Sequence, residues 1–179
     1  MDSSSHSRLY HKDRPALAKN LSVDSETWFL LMHGYLRQLF DNKEKEQEIK
    51  ILRLESLASS LGRNVIERCA DDKSGRYRER KDIIRFVAFD IWTYFFGRHV
   101  PKVNYKDEGE TYFFEDNDFK FLKRIASEDP VSKEYISFCM KFICHLLKSV
   151  FKAFSIETLV TGETQNYIDY IFTVQFKMI

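Results

Sequence analysis

The sequence predicts an α+β fold in which helices pack on one face of a four-stranded antiparallel sheet, in the order α-α-α-β-β-α-β-β. In four segments, apolar residues recur at three- and four-residue spacing, which is helical periodicity. Two other stretches carry short aromatic-rich or alternating runs that are typical of β-hairpins. Because hairpins and helices are segregated along the chain, we expect an antiparallel sheet that is covered on one side.

Length and composition indicate one folded domain. The chain has 179 residues, with 28 Lys or Arg against 27 Asp or Glu, a net charge of +1. This balance argues against wholesale coating of nucleic acid, which an excess of positive charge drives. Three cysteines without a CxxC pair suggest neither a disulfide framework nor a zinc site. With no apolar leader and no run of about 18 apolar residues, we expect a cytoplasmic protein without metal or cofactor.

The amino-terminal part divides into an arm and two helices. Residues 1–21 are polar and mildly basic and predict a mobile arm, so the domain spans 22–179. Ser22 to Ser25 can cap a first helix. Large apolar residues then share one face of this helix: Trp28, Met32, Tyr35, Leu36, Leu39 and Phe40. A second helix follows the charged run from Lys43 to Glu48, and its stripe includes Leu54, Leu57 and Leu61.

The remaining elements follow in order. A helix from Asp82 to about Phe96 is apolar on nearly all sides, as a buried central helix is, and Gly97 predicts its end. Runs at 111–115 and 119–125, separated by turn residues, predict a β-hairpin. Asp129 and Pro130 predict the start of a fourth helix. Runs at 156–164 and 167–179 predict two final strands.

No catalytic motif is present in the sequence. It has no phosphate-cradling glycine-rich loop, no GxSxG elbow and no HExxH. Cys144 and His145 are adjacent, but neighbours on a helix point about 100° apart and do not form a nucleophile–base pair. The basic stretch from Lys73 to Lys81 is flanked by aspartates, which favours a solvated loop over a phosphate site. We therefore expect a protein that is not an enzyme.

A basic line runs along the fourth helix, opposite its apolar stripe. Lys141, Lys148 and Lys152 recur at helical spacing with His145 between them. These lysines are candidates for contact with an anionic membrane. An ordinary solvated helix face is the simpler interpretation.

Apolar side chains exceed the needs of a core built from the central helix, the fourth helix and the sheet. Aromatic residues make up 15% of the chain. We therefore interpret the stripes of the first two helices as a protein–protein interface, where Trp, Tyr, Phe and Met concentrate. This predicted partner-binding set is Trp28, Met32, Tyr35, Leu36, Leu39, Phe40, Leu54, Leu57 and Leu61.

Several short motifs in a fixed order resemble one family. They are Leu61-Gly62, 65–68 (VIER), 82–86 (DIIRF) with Asp90 and Trp92, Phe96-Gly97, 112–117 (YFFEDN), 142–144 (FIC) and 159–163 (LVTGE). Together these resemble the small subunits of the transport protein particle, TRAPP, and are most similar to the subunit-6 branch. The similarity extends from about Ser22 to Ile179.

This resemblance implies the same element order and a non-catalytic scaffold. It implies pairing with a subunit-3-like partner through the first two helices, and support for a Rab GTPase exchange platform in ER–Golgi trafficking. It further implies a cytoplasmic location peripheral to Golgi and endoplasmic reticulum membranes. The sister subunit 3 carries an acylated cysteine after a Gly-Arg pair, but here Tyr77 follows Gly75-Arg76, so lipidation is not expected.

The alternative function is a stand-alone sensor that binds an apolar ligand. It would require an enclosed cavity between the central helix and the sheet, lined by Phe86, Phe89 and Phe142. The many bulky phenylalanines argue that this space is filled.

Overall fold

The computed structural model describes residues 25–43, 46–70, 77, 79–107, 110–125, 129–165 and 169–177. The predicted arm, residues 1–21, lies outside the described residues. Six helices are described: α1 (Ser25–Asp41), α2 (Gln47–Ala70), α3 (Arg80–Phe86), α4 (Trp92–Phe96), α5 (Lys120–Lys123) and α6 (Pro130–Ala153). Four strands are described: β1 (Lys102–Lys106), β2 (Thr111–Asp116), β3 (Thr158–Gln165) and β4 (Asp169–Phe176).

The strands form one antiparallel sheet in the order β1-β2-β4-β3. Tyr112 and Phe114 of β2 pair with Val174 and Phe172 of β4, and all four side chains are buried under the helices. Residues on the opposite face, such as Phe113 and Thr173, are only half-buried. The helices thus cover one face of the sheet, and the predicted α+β architecture and element order are confirmed.

The central helix is continuous from α3 to α4 through a π-helical turn, Val87–Ile91. The carbonyl of Ala88 accepts a hydrogen bond from the Val100 amide, 2.9 Å away, outside the helix. Its side chains are mostly buried, as the apolar pattern predicted. Gly97 ends α4 in the left-handed conformation, with φ of 76°, which glycine adopts without steric cost.

Helix α6 is the main support of the sheet. Asp129 caps it by accepting from the Ser132 amide at 2.8 Å, and Pro130 occupies its first turn. Eleven of its side chains are buried, and it packs against both α2 and β3. The crossing with α2 is close: a Cβ added at Gly62 would lie 1.8 Å from Ser149 Oγ.

The first hairpin differs from the prediction. Its strands are Lys102–Lys106 and Thr111–Asp116, whereas the run at 119–125 contains the short helix α5. The buried Asp116 carboxylate pairs with the Arg98 guanidinium and accepts from the Asp118 amide at 3.0 Å, which turns the chain out of the sheet. Phe119, Phe121 and Leu122 then enter the core from this turn and helix.

Candidate interaction surfaces

The predicted partner-binding stripe includes four residues, out of nine, that this chain itself buries. Met32, Leu36 and Leu39 of α1 and Leu54 of α2 are buried within this chain. A side chain that its own domain already covers cannot contact a second protein while the domain remains folded. Of the other five, Trp28, Phe40, Leu57 and Leu61 are half-buried and pack against the core. Tyr35 is exposed.

Three of the four Phe, Trp and Tyr residues of α1 pack inside the domain. Trp28 lies with its ring centroid 5.6 Å from that of Phe95, and Phe29 lies 5.4 Å from Phe121 in an edge-on contact. Phe40 similarly contacts Phe138 of α6 at 5.6 Å. Such pairs stabilise a core beyond the area they bury. The aromatic surplus in the sequence therefore fills a second layer of core beneath α1.

His33 joins α1 to two other parts of the chain. Its Nε2 lies 2.7 Å from the carbonyl oxygen of Phe121, and its ring stacks on the Phe121 ring at 4.3 Å. The Tyr135 hydroxyl of α6 donates to the His33 carbonyl at 3.0 Å. Burial lowers the pKa of His33, and the Arg124 charge lowers it further, whereas the hydrogen bond to Phe121 raises it.

The side of α1 that faces away from the core carries a different apolar set. Leu30 is 70% exposed, Leu31 is 66% exposed and Tyr35 is 43% exposed. Gly34 lies among them, and a Cβ added there would meet no described residue within 4 Å. Residues three and four apart are neighbours on a helix, so these four residues form one patch. We call it the outer face of α1.

A second surface lies between α6 and β3. It is a groove of about 560 Å³, and Lys133, Lys141 and Lys148 line its α6 side. Val160 and Gly162 of β3 line the other side, where a Cβ added to Gly162 would lie 3.2 Å from Cys144 Sγ. We call it the α6–β3 groove.

The predicted basic line is only partly in this groove. Lys141, Lys148 and Lys152 are all exposed on α6. Lys141 and Lys148 line the α6–β3 groove, and Lys152 is not among its lining residues. Contact between these lysines and a membrane stays a prediction.

Cys144 and His145 do not form a reactive pair. Burial raises the pKa of the Cys144 thiol to about 12, so little nucleophilic thiolate is present near neutral pH. His145 instead lies with Nε2 3.5 Å from a Glu55 carboxylate oxygen of α2. In the part of the chain that the structure describes, no group of three or more His, Cys, Asp and Glu residues could hold a metal ion.

The cavity that a sensor would need is filled with aromatic side chains. Between the central helix and the sheet, the Trp92 ring lies 5.4 Å from Phe119 and 5.4 Å from Phe172. Phe86 and Phe142, two of the three residues expected to line a ligand site, are themselves buried core residues. This packing does not favour the sensor alternative.

The predicted basic loop lies largely outside the described residues, which include neither 71–76 nor 78. At its described end, Arg80 forms an ion pair with Glu110 at 2.8 Å. Among the described helices, none is long and apolar enough to cross a bilayer.

The chain is similar to known proteins in both sequence and fold. A family model described as "Transport protein particle (TRAPP) component" matches residues 28–177. Over 148 residues the chain is 25% identical to trafficking protein particle complex subunit 6B of Mus musculus, with 79% of this chain and 90% of that protein covered. Over 116 residues it is 30% identical to subunit 6A of Bos taurus, with 65% and 71% covered.

A solved structure, trafficking protein particle complex subunit 3 from Naegleria fowleri covalently bound to palmitic acid, has a similar fold. The TM-score is 0.70 at 16% identity, with 86% of this chain and 95% of that chain covered. At this identity the likeness shows the fold alone. The sequence matches confirm the predicted resemblance, including its subunit-6 character. This chain therefore belongs to the family of transport protein particle (TRAPP) components.

Proposed function

We propose that this chain is a non-catalytic structural subunit of a TRAPP-type tethering complex, which binds a subunit-3-like small subunit through the outer face of α1. The observation that carries the proposal is the exposure of Leu30, Leu31 and Tyr35 on one helix of a TRAPP family member. Similarity to proteins named as complex subunits supports membership of an assembly.

The chemistry of this face suits a second protein. Leu30, Leu31 and Tyr35 form a contiguous exposed apolar patch, and such patches mark sites of interaction with other proteins. Leu31 and Tyr35 are one helical turn apart and can enter a partner together. Tyrosine is also enriched at protein interfaces, because it buries a large ring and keeps a polar hydroxyl.

Gly34 marks the point of closest approach in this proposal. A glycine in a helix interior costs about 1 kcal/mol relative to alanine. Among the residues that the structure describes, nothing lies within 4 Å of the position where its Cβ would be, so packing against these residues does not require a glycine. A partner backbone that crosses α1 at this point would require it, because only glycine lets two helices approach so closely.

The role in the assembled complex is structural. No residue geometry described above supplies a nucleophile, a metal site or a phosphate cradle, so the chain would contribute shape and contacts to a Rab exchange platform whose chemistry other subunits provide. Association with Golgi and endoplasmic reticulum membranes would follow from membership of the complex.

The test is co-expression with a subunit-3-like TRAPP subunit, followed by size-exclusion chromatography and measurement of the Kd. We expect Leu31→Asp and Gly34→Arg each to weaken the complex at least about thirtyfold, which is about 2 kcal/mol. Both residues are exposed, so the free energy of unfolding of the isolated chain should change little.

Val131→Asp is the matched control. Val131 is also an exposed apolar residue, but it lies in the first turn of α6 and is not part of the outer face of α1. Its replacement should leave the complex intact. Unchanged affinity of both Leu31→Asp and Gly34→Arg would defeat the proposed interface.

A further inference from the structure

We propose that the α6–β3 groove binds an acidic, extended segment of a partner protein, which adds to the edge of β3 as a fifth strand and pairs its carboxylates with Lys141 and Lys148. This site is separate from the outer face of α1 and does not depend on the function proposed above.

The edge of β3 is suited to strand addition. Of the strands that the structure describes, only β4 pairs with β3, and β3 lies at one end of the sheet. Proteins protect such edges with lysines, prolines or short strands. The other edge strand, β1, begins with Lys102 and ends with Lys106. In contrast, β3 has eight residues, TLVTGETQ, with no Lys, Arg or Pro, and its Leu159 is 52% exposed.

The charge beside this edge is positive. Lys133, Lys141 and Lys148 line the α6–β3 groove, and among the described residues no Asp or Glu lines it. Burial lowers the pKa of His145 in the same groove, and the charges of Lys148 and Lys141 lower it further, although Glu55 opposes them. A strand that binds here therefore has the most favourable electrostatic interaction with the lysines if it carries carboxylates.

The geometry also predicts how acidic residues are spaced in the segment that binds the groove. Lys141 and Lys148 are seven residues apart, about 10 Å along α6, which lies between the two-residue and four-residue separations of side chains on one face of an extended strand. Strand side chains alternate between faces, so acidic residues at every second position would lie on the α6 side. On the other face, Glu163 of β3 is exposed, which favours neutral residues at the intervening positions.

Other occupants fit less well. A second copy that paired through its own β3 would bring two sets of α6 lysines together. A flat anionic membrane would attract the lysines, but it would not fill a groove or satisfy the amides of a strand edge.

The test uses an acetylated decapeptide of alternating Glu and Thr and the full chain. Fluorescence anisotropy gives the Kd, and hydrogen exchange reports the amides of β3. We expect binding, with slower exchange within 158–165. Lys141→Glu with Lys148→Glu should weaken binding at least about tenfold, whereas Lys152→Glu, the same change on the same helix outside the groove lining, should weaken it no more than about twofold.

Two probes separate strand addition from simple charge attraction. A decapeptide of the same charge with proline at every threonine position cannot complete a ladder, and we expect it not to bind. Vesicles of phosphatidylcholine with phosphatidylserine test the membrane alternative.

The proposal is overturned if the alternating peptide does not bind, if the proline peptide binds equally well, or if exchange of β3 is unchanged on binding. It is also overturned if vesicles bind and Lys152→Glu reduces that binding as much as Lys141→Glu does, because the basic line would then be a membrane surface.

Discussion

Helices α1 and α6 have similar amphipathic patterns in the sequence but very different surroundings in the fold. Helix α6 buries eleven of its 24 residues between α2 and the sheet, and its one large exposed apolar residue in the described part is Val131 in the first turn. Helix α1 buries four side chains against the core and exposes Leu30, Leu31 and Tyr35. An apolar stripe thus identifies the buried face of a helix, and we propose that the apolar residues outside that stripe on α1 form an interface.

The difference has a physical origin in position. Helix α6 lies across the sheet and is enclosed by α2, so most of its circumference meets protein. Helix α1 has fewer contacts, which it makes with α2, α4 and α6. Its inner face is an ordinary core layer, and its outer face is the part that a second protein can cover.

The largest expected effect separates the two faces of α1. Leu36 is fully buried, so Leu36→Ala should cost about 2–5 kcal/mol of unfolding free energy through lost burial and the cavity it leaves. Leu31→Ala, the matched change on the outer face, should alter it by no more than about 0.5 kcal/mol. Urea denaturation monitored by tryptophan fluorescence measures both. Equal losses would mean that the outer face is not free in the isolated chain.

The second effect compares two helical glycines. Gly62→Ala places a Cβ 3.1 Å from Ser149 Cβ and 3.2 Å from the Leu146 carbonyl oxygen, so α2 and α6 must separate. We expect a loss of about 1–3 kcal/mol. Gly34→Ala meets no such obstacle among the described residues and should stabilise the chain by about 0.5–1 kcal/mol through helix propensity.

Thermal denaturation of these two variants gives opposite shifts in Tm if the account is correct. Ser149→Ala should recover part of the loss caused by Gly62→Ala, because it removes the oxygen nearest to the new methyl group. A gain in stability for Gly62→Ala would contradict the close crossing of α2 and α6.

The smallest effect concerns pH and the joint between α1 and α6. Burial lowers the pKa of His33 in the folded chain, so the unfolded chain binds its proton more readily. The stability due to neutral His33 is therefore complete above its ordinary pKa of about 6.5 and declines as pH falls below it. His33→Gln, which can still donate to Phe121, should flatten the dependence of unfolding free energy between pH 7 and pH 5.

His145→Gln is the comparison for this experiment, because burial lowers the pKa of His145 as well. Each variant should remove part of the decline, and both together should remove more. A profile for His33→Gln that matches the unmodified chain would show that His33 does not titrate as its surroundings require.

Much of the fold follows from local patterns in the sequence. The caps at Asp129 and Gly97, the apolar central helix and the alternation in β4 each lie where the pattern predicted. The predicted position of the first hairpin was wrong because the sequence of β1, KVNYK, has few apolar residues to indicate a strand. As an edge strand it needs charge at its ends and not a continuous apolar face. The segment 119–125 carries stronger apolar signal because its side chains enter the core from a turn and a short helix.

The interaction surfaces were less predictable. Whether Met32 or Leu31 faces the core depends on which neighbour α1 packs against, and that neighbour, α6, is about a hundred residues away in the sequence. The basic line was visible as spacing, but the groove beside Lys141 and Lys148 depends on the placement of β3, which no local pattern specifies.

The most direct test of the account is hydroxyl-radical footprinting of the outer face of α1 in the free chain and in the complex with a subunit-3-like partner. We predict that Leu30, Leu31 and Tyr35 react readily in the free chain and are protected in the complex, while the exposed Val131 and Leu159 react equally in both. If Leu31 and Tyr35 are as reactive in a complex that has demonstrably formed as they are in the free chain, the assignment of this face to the partner is contradicted.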